Sequence, residues 1–135
     1  MELNILRADP AGNITVFVLD PVEKAQRAAI AEKIMAIPAL KAEQVGYACA
    51  AEDDVDGHME MMGGEFCGNA TRAYGMYIAQ QKGGLSSVRL RVSGCDHAVT
   101  AQVDLKSGTA RAEMPCPRSV KRVTVNGHEG TLVDL

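Results

Sequence analysis

The chain has 135 residues, long enough for one domain with a workable core, and residues 1–135 are expected to fold as a single unit. A formal net charge of −3, a pI near 5.6, and only three Tyr, two Phe and no Trp leave neither a basic stripe nor a stacking platform, which excludes nucleic acid as a partner class. No apolar run approaches the roughly 18 residues of a membrane span, and Met1-Glu2-Leu3-Asn4 does not open a secretory signal, so a soluble, cytoplasmic protein is expected.

In chain order, Leu3 to Ala8 and Ile14 to Leu19 read as a hairpin around Pro10-Ala11-Gly12-Asn13. A helix follows, with Asp20 as N-cap, Pro21 at its first position, and an apolar stripe of Ala29, Ile30, Ile34 and Ile37 that Pro38 stops. Strands are predicted at Val45 to Ala51 and Gly57 to Met62. A second helix runs from Ala70 to Gln81, with Ala70, Ala73, Tyr74, Tyr77 and Ile78 at helical spacing and Lys82-Gly83-Gly84 at its end. Strands recur at Val88 to Val92, Ala98 to Leu105, Thr109 to Met114 and Val120 to Val125. Asn126-Gly127 then makes a hairpin turn into a last strand, Thr131 to Leu135. There is no internal repeat or low-complexity linker. The layout is α+β, a mainly antiparallel sheet packed on helices.

Cys67 stands where the strand ending at Met62 gives way to the second helix, inside Gly63-Gly64-Glu65-Phe66-Cys67-Gly68-Asn69-Ala70-Thr71-Arg72. The unpaired amides of Gly68 and Asn69 and the positive end of the helix dipole favour an anion there, either the thiolate or a substrate carboxylate. A carboxylate bound at those amides holds an α-carbon proton within reach of the sulfur, which makes Cys67 a candidate base. The plainer reading is a small buried hydrophobe. The flanking glycines, which allow close approach of a ligand to main-chain amides, are not needed for that role.

The other polar residues carry two readings each. Glu65 suits a substrate ammonium, or simply the dipole of the helix it precedes. Asn13 suits turn geometry. Gln44 reads as strand entry, and Arg72 as a brace or a carboxylate partner. Cys49 reads as strand core, Cys95 as a structural turn residue and Cys116 as loop. The four cysteines lack C-x-x-C spacing, which argues against zinc or a redox dithiol, and His58, His97 and His128 have no partner nearby in sequence.

Cys67-Gly68-Asn69-Ala70-Thr71-Arg72 resembles the first catalytic-cysteine motif of the diaminopimelate epimerase family. Gly12-Asn13, Glu43-Gln44-Val45-Gly46 and Glu113-Met114-Pro115 match in order and spacing. The Gly-Glu-Phe-Cys-Gly-Asn-Ala-Thr form and Val92-Ser93-Gly94-Cys95 are closer to the histidine racemases of opine-metallophore pathways. Met59 to Gly64 differs from the stretch found in diaminopimelate epimerases proper. The resemblance implies a curled, mainly antiparallel sheet around a central helix, and inversion of a free amino acid with no pyridoxal phosphate, metal or nucleotide. It implies that Cys67 is one of two thiol bases, that Gly68 and Asn69 give carboxylate-binding amides, and that Asn13 and Gln44 lie at the substrate. Histidine is the first substrate it suggests and diaminopimelate the second.

Family members are about twice this length and carry their second cysteine in the second half. The expectation is therefore a first-half domain that lacks its C-terminal partner, inactive alone unless a homodimer supplies the second thiol. Two rivals stand beside this reading. One is a proline racemase-like isomerase, which usually has Cys-Gly-His where Cys67-Gly68-Asn69 stands here; the other is a non-catalytic half-domain that binds or assembles.

Overall fold

The computed structural model describes residues 2–134. Its elements in chain order are β1 (Ile5–Ala8), β2 (Thr15–Val18), α1 (Lys24–Met35), β3 (Gln44–Cys49), β4 (Gly57–Met61), α2 (Gly68–Gln81), β5 (Ser87–Val92), β6 (Val99–Asp104), β7 (Thr109–Ala112), β8 (Ser119–Val125) and β9 (His128–Asp134). Leu135, the end of the predicted last strand, lies outside the described residues.

Strands β1 to β7 form one sheet in sequence order. The sheet is mixed. Four of its pairings are antiparallel, while β2–β3 and β4–β5 are parallel, because α1 and α2 carry the chain back across the sheet between those strands. The α+β expectation holds, with a parallel component that strand periodicity does not reveal.

The two helices take opposite faces. Ile30, Ala31 and Ile34 of α1 pack on Val16, Val18, Val45 and Tyr47. On the other face, Ala70, Tyr74 and Ala79 of α2 meet Phe17, Met59, Leu90, Val99 and Ala101, and the Phe17 and Tyr74 rings lie 5.5 Å apart. Leu6 and Ala8 of edge strand β1 and Ala110 of edge strand β7 join this same cluster, so the sheet curls around α2 from both ends. The fit is close at Gly75, where a Cβ would stand 2.7 Å from the Cβ of Ala101.

The start of α1 differs from expectation. The N-cap is Glu23, and Asp20 accepts hydrogen bonds from the backbone and side-chain nitrogens of Asn4, tying the chain before α1 to β1. Those bonds hold the Asp20 carboxyl below its usual range. The stripe shifts as well: Ala31 is buried and Ala29 exposed, because the helix face centres on Ile30 and Ile34, while Ile37 lies beyond the helix and is exposed. Strands β8 and β9 pair only with each other, through a turn with φ of 51° at Asn126 and 79° at Gly127. No helix among the described residues is long and apolar enough to cross a membrane.

Candidate active site

Cys67 is delivered to the end of α2 by a loop that is fastened to the next strand. The Ser93 hydroxyl accepts from Met61 N at 2.8 Å and donates to Glu65 O at 2.7 Å, clasping both ends of the turn after β4. Gly94 follows with φ +71°, and its Cα lies so close to the Glu65–Phe66 backbone that a Cβ would stand 2.2 Å from Phe66 N. Cys67 is thereby set as the N-cap of α2 in extended geometry, and its sulfur accepts from Ala70 N at 3.4 Å. The buried Thr71 hydroxyl donates back to Cys67 O at 2.8 Å. Among the described residues no protein acceptor meets the Gly68 or Asn69 amides. Two free donors therefore sit beside the thiol, the arrangement the sequence anticipates at this junction.

The parallel register of β2 and β3 sets Thr15 beside Gln44, and both reach the cysteine. Gln44 Nε2 lies 3.2 Å from Cys67 Sγ, 2.8 Å from Thr15 Oγ1 and 3.0 Å from Asn13 Oδ1. Asn69 Nδ2 donates to the same Asn13 oxygen at 3.2 Å, and Asn13 Nδ2 donates to Glu43 Oε2 at 3.2 Å. Asn13, Gln44, Cys67, Gly68 and Asn69, predicted from three separate stretches, are thus brought together. Asn13 does not serve as the left-handed turn residue. Ala11 and Gly12 take the positive φ values, 59° and 90°, and free the Asn13 side chain for this network.

An open cleft of about 680 Å³ lies over the helix end, walled by Phe66, Cys67, Gly68, Asn69 and Arg72 on one side and by Arg111, Ala112 and Met114 on the other. Its size suits a small ligand. No lysine lines it among the described residues. Arg72 donates to Pro10 O at 3.4 Å, while its buried Nε meets no acceptor among the described residues. Glu65 is not gathered into this cleft; its carboxylate folds back over Gly63.

The remaining cysteines are unpaired and lie elsewhere. Cys49 is not an apolar core residue. It shares the α1 face with His58 and Glu60, and Arg27 donates to its sulfur at 3.4 Å and pairs with Glu60. Burial pushes the Cys49 thiol up, against the opposing pull of Arg27. The guanidinium already fills the space between these donors, so the cluster is an ion-pair cap over α1. Cys95 and Cys116 line another cleft with His97 and Arg118. His97 is not without neighbours: it sits 3.6 Å from Cys95 Sγ and 2.8 Å from Asp96.

Sequence reasoning missed Thr15, Glu43 and Ser93 as working residues. Ser93 stands in the Val92-Ser93-Gly94-Cys95 string, but its partners Met61 and Glu65 are distant in sequence and nothing beside it marks its role. Thr15 carried a weak signal, a hydroxyl in a strand whose neighbours Val16, Phe17 and Val18 are all apolar and buried.

The family model described as the histidine racemase CntK N-terminal domain matches residues 2–134. A histidine racemase of Fusobacterium nucleatum subsp. nucleatum is 31% identical over 140 residues, covering 97% of this chain and 50% of that protein. A histidine racemase of Staphylococcus aureus is 32% identical over 122 residues, covering 87% of this chain and 44% of that protein. The chain spans about half the length of these curated relatives. With its cysteine motif at a helix end and this match along nearly its whole length, the chain belongs to the histidine racemase N-terminal domain family.

Proposed function

We propose that this chain supplies one catalytic half of a cofactor-independent, diaminopimelate epimerase-like histidine racemase. One observation carries the reading: the Cys67 sulfur caps α2 beside the two unclaimed amides of Gly68 and Asn69, so a base and an anion site share one helix end. A substrate carboxylate held by those amides presents its α-carbon to the sulfur. The Cα–H bond breaks, the proton passes to Sγ, and the electron pair spreads into the carboxylate, where the amides and the helix dipole stabilise the added charge. Inversion then requires a proton delivered to the opposite face of the carbon.

Cys49 lies on the α1 face of the sheet, and Cys95 and Cys116 belong to another cleft. The proposal therefore takes the second thiol from a second half-domain or a second copy. Histidine is the favoured substrate because the relatives carry that name. Asn13 and Gln44 border the bound amino acid in this reading, and Glu65, whose carboxylate folds back over Gly63, meets an ammonium group by turning its side chain toward the cleft. Four free thiols suit a reducing compartment, in keeping with a cytoplasmic enzyme.

The test is racemisation of L- and D-histidine in D2O by the encoded enzyme and its Cys67→Ser variant, read by chiral chromatography and α-deuterium content. Turnover is expected to fall by about 10²–10⁴-fold or more, the share of a positioned acid–base group. Calorimetric histidine binding should change far less, since amides and not the sulfur hold the carboxylate. A variant that inverts histidine at near wild-type rate removes Cys67 from the chemistry.

A further inference from the structure

We propose that Gln44 serves Cys67 in both of its protonation states and that Thr15 is the positioning residue that fixes the direction of the Gln44 carboxamide. The inference rests on the reading of Cys67 as a base, since a racemase thiol must be thiolate before it takes a proton and thiol afterwards.

The sulfur lies 3.2 Å from Gln44 Nε2 and 3.5 Å from Gln44 Oε1. A thiolate needs a donor and finds an amide N–H that it shares with one of the two oxygens facing Nε2, since two hydrogens meet three acceptors there; a thiol needs an acceptor for its S–H and finds the amide oxygen of the same group. Neither state requires the side chain to turn over. A carboxylate at this position serves only the thiol, and a hydroxyl serves both states only by turning its hydrogen between them.

The direction of the carboxamide decides which atom stands nearer the sulfur, and its surroundings keep the N–H there, on the side a thiolate needs. Nε2 faces Thr15 Oγ1 at 2.8 Å and Asn13 Oδ1 at 3.0 Å. Reversal brings Oε1 against the Asn13 oxygen, two acceptors in contact. Asn13 is itself held, because Glu43 accepts from its nitrogen and Asn69 donates to its oxygen. The Thr15 hydroxyl turns its own hydrogen toward Asn13 O at 3.4 Å, which leaves its lone pair for Gln44. Thr15 is 0% exposed in a strand otherwise made of apolar residues, a polar group whose burial this bond explains. The charged groups around the pair are Glu43 beside Asn13, and Arg72 and Arg111 on the cleft wall, while the Glu65 carboxylate is turned away over Gly63.

The experiment needs no turnover. Cys67 of the full chain is alkylated with iodoacetamide at pH 7 and read by peptide mapping, with exposed Cys116 as internal reference. Thr15→Val, which keeps the shape and removes the hydroxyl, is expected to slow Cys67 about fivefold, the scale of the one neutral hydrogen bond it removes from Gln44. Thr15→Ser is expected to stay within about twofold of wild type. Above about pH 10, where thiols are ionised throughout, Thr15→Val and wild type should converge, which a loosened fold does not produce. Gln44→Leu should slow Cys67 at least as much as Thr15→Val, and it reads the same contact if the buried substitution fails to fold. Wild-type reactivity in Thr15→Val or in Gln44→Leu, or a Thr15→Ser variant as slow as Thr15→Val, overturns the proposal. Because the readout is chemical labelling, either result leaves the histidine reading to its own racemisation test.

Discussion

Gly94→Ala tests how the cysteine loop is held. The residue has φ +71°, and an added Cβ would stand 2.2 Å from Phe66 N, 2.7 Å from the Glu65 carbonyl carbon and 2.9 Å from Phe66 Cα. All three are backbone atoms, so no rotamer change relieves the contact, and the loop must retreat by about 1 Å to restore ordinary separations. The left-handed conformation costs an alanine roughly 1–2 kcal/mol. Forcing a methyl into a packed contact adds about 1–3 kcal/mol, for a total of roughly 2–5 kcal/mol. Gly108→Ala isolates the first component. Gly108 has φ +65°, yet a Cβ there meets nothing within 4 Å. Urea denaturation of the two variants should therefore differ by the clash alone. The loop that retreats is the one that sets Cys67, so Gly94→Ala should also change the Cys67 alkylation rate while Gly108→Ala leaves it alone. Equal destabilisation by the two alanines refutes the claim that Gly94 fastens the loop.

Two further outcomes are expected. At pH 7 iodoacetamide should label Cys67 faster than Cys49, because the Cys67 sulfur accepts from Gln44 and Ala70 whereas burial raises the Cys49 thiol; peptide-resolved labelling in which Cys49 reacts first contradicts this. Tyr74 is pushed up to about 12 by burial, with its hydroxyl on His58 O. Its folded value lies above the ordinary value near 10, so this contribution to stability is fully present below that pH and is lost as pH rises through about 12. Urea denaturation between pH 10 and 12 should show stability falling as the tyrosinate absorbance at 295 nm rises, and stability that rises through this window contradicts the sign.

What was legible in the sequence was chiefly local. The junction before α2, the Asn126-Gly127 hairpin and the glycine stop after Gln81 follow from neighbouring residues, and each stands where it was read. Asp20 misled because an Asp-Pro pair also fits a helix start; its carboxylate was taken instead by Asn4, across the open end of β1. Ala29 misled because a stripe fixes the helical face only to within one residue, and the sheet selected Ala31. The working roles of Thr15, Ser93 and Glu43 depend on distances between segments that lie 28 to 32 residues apart, and nothing local to each residue announces its partner. The resemblance set Asn13 at the substrate beside a competing turn role, and the positive φ values on Ala11 and Gly12 remove that turn role.

The Asn13–Asn69 bond closes a span of 56 residues that contains the parallel pairing of β2 with β3. Parallel pairing must wait for its crossover helix, and long closures come late in folding. The helix end carrying Cys67 can form early from local contacts, but the Gln44 and Asn13 side chains reach its sulfur only when β2 and β3 have paired and docked beside α2. During refolding the thiol therefore passes from an ordinary helix terminus to its native setting when that long closure is made, which makes its chemical reactivity a clock for the pairing of β2 with β3.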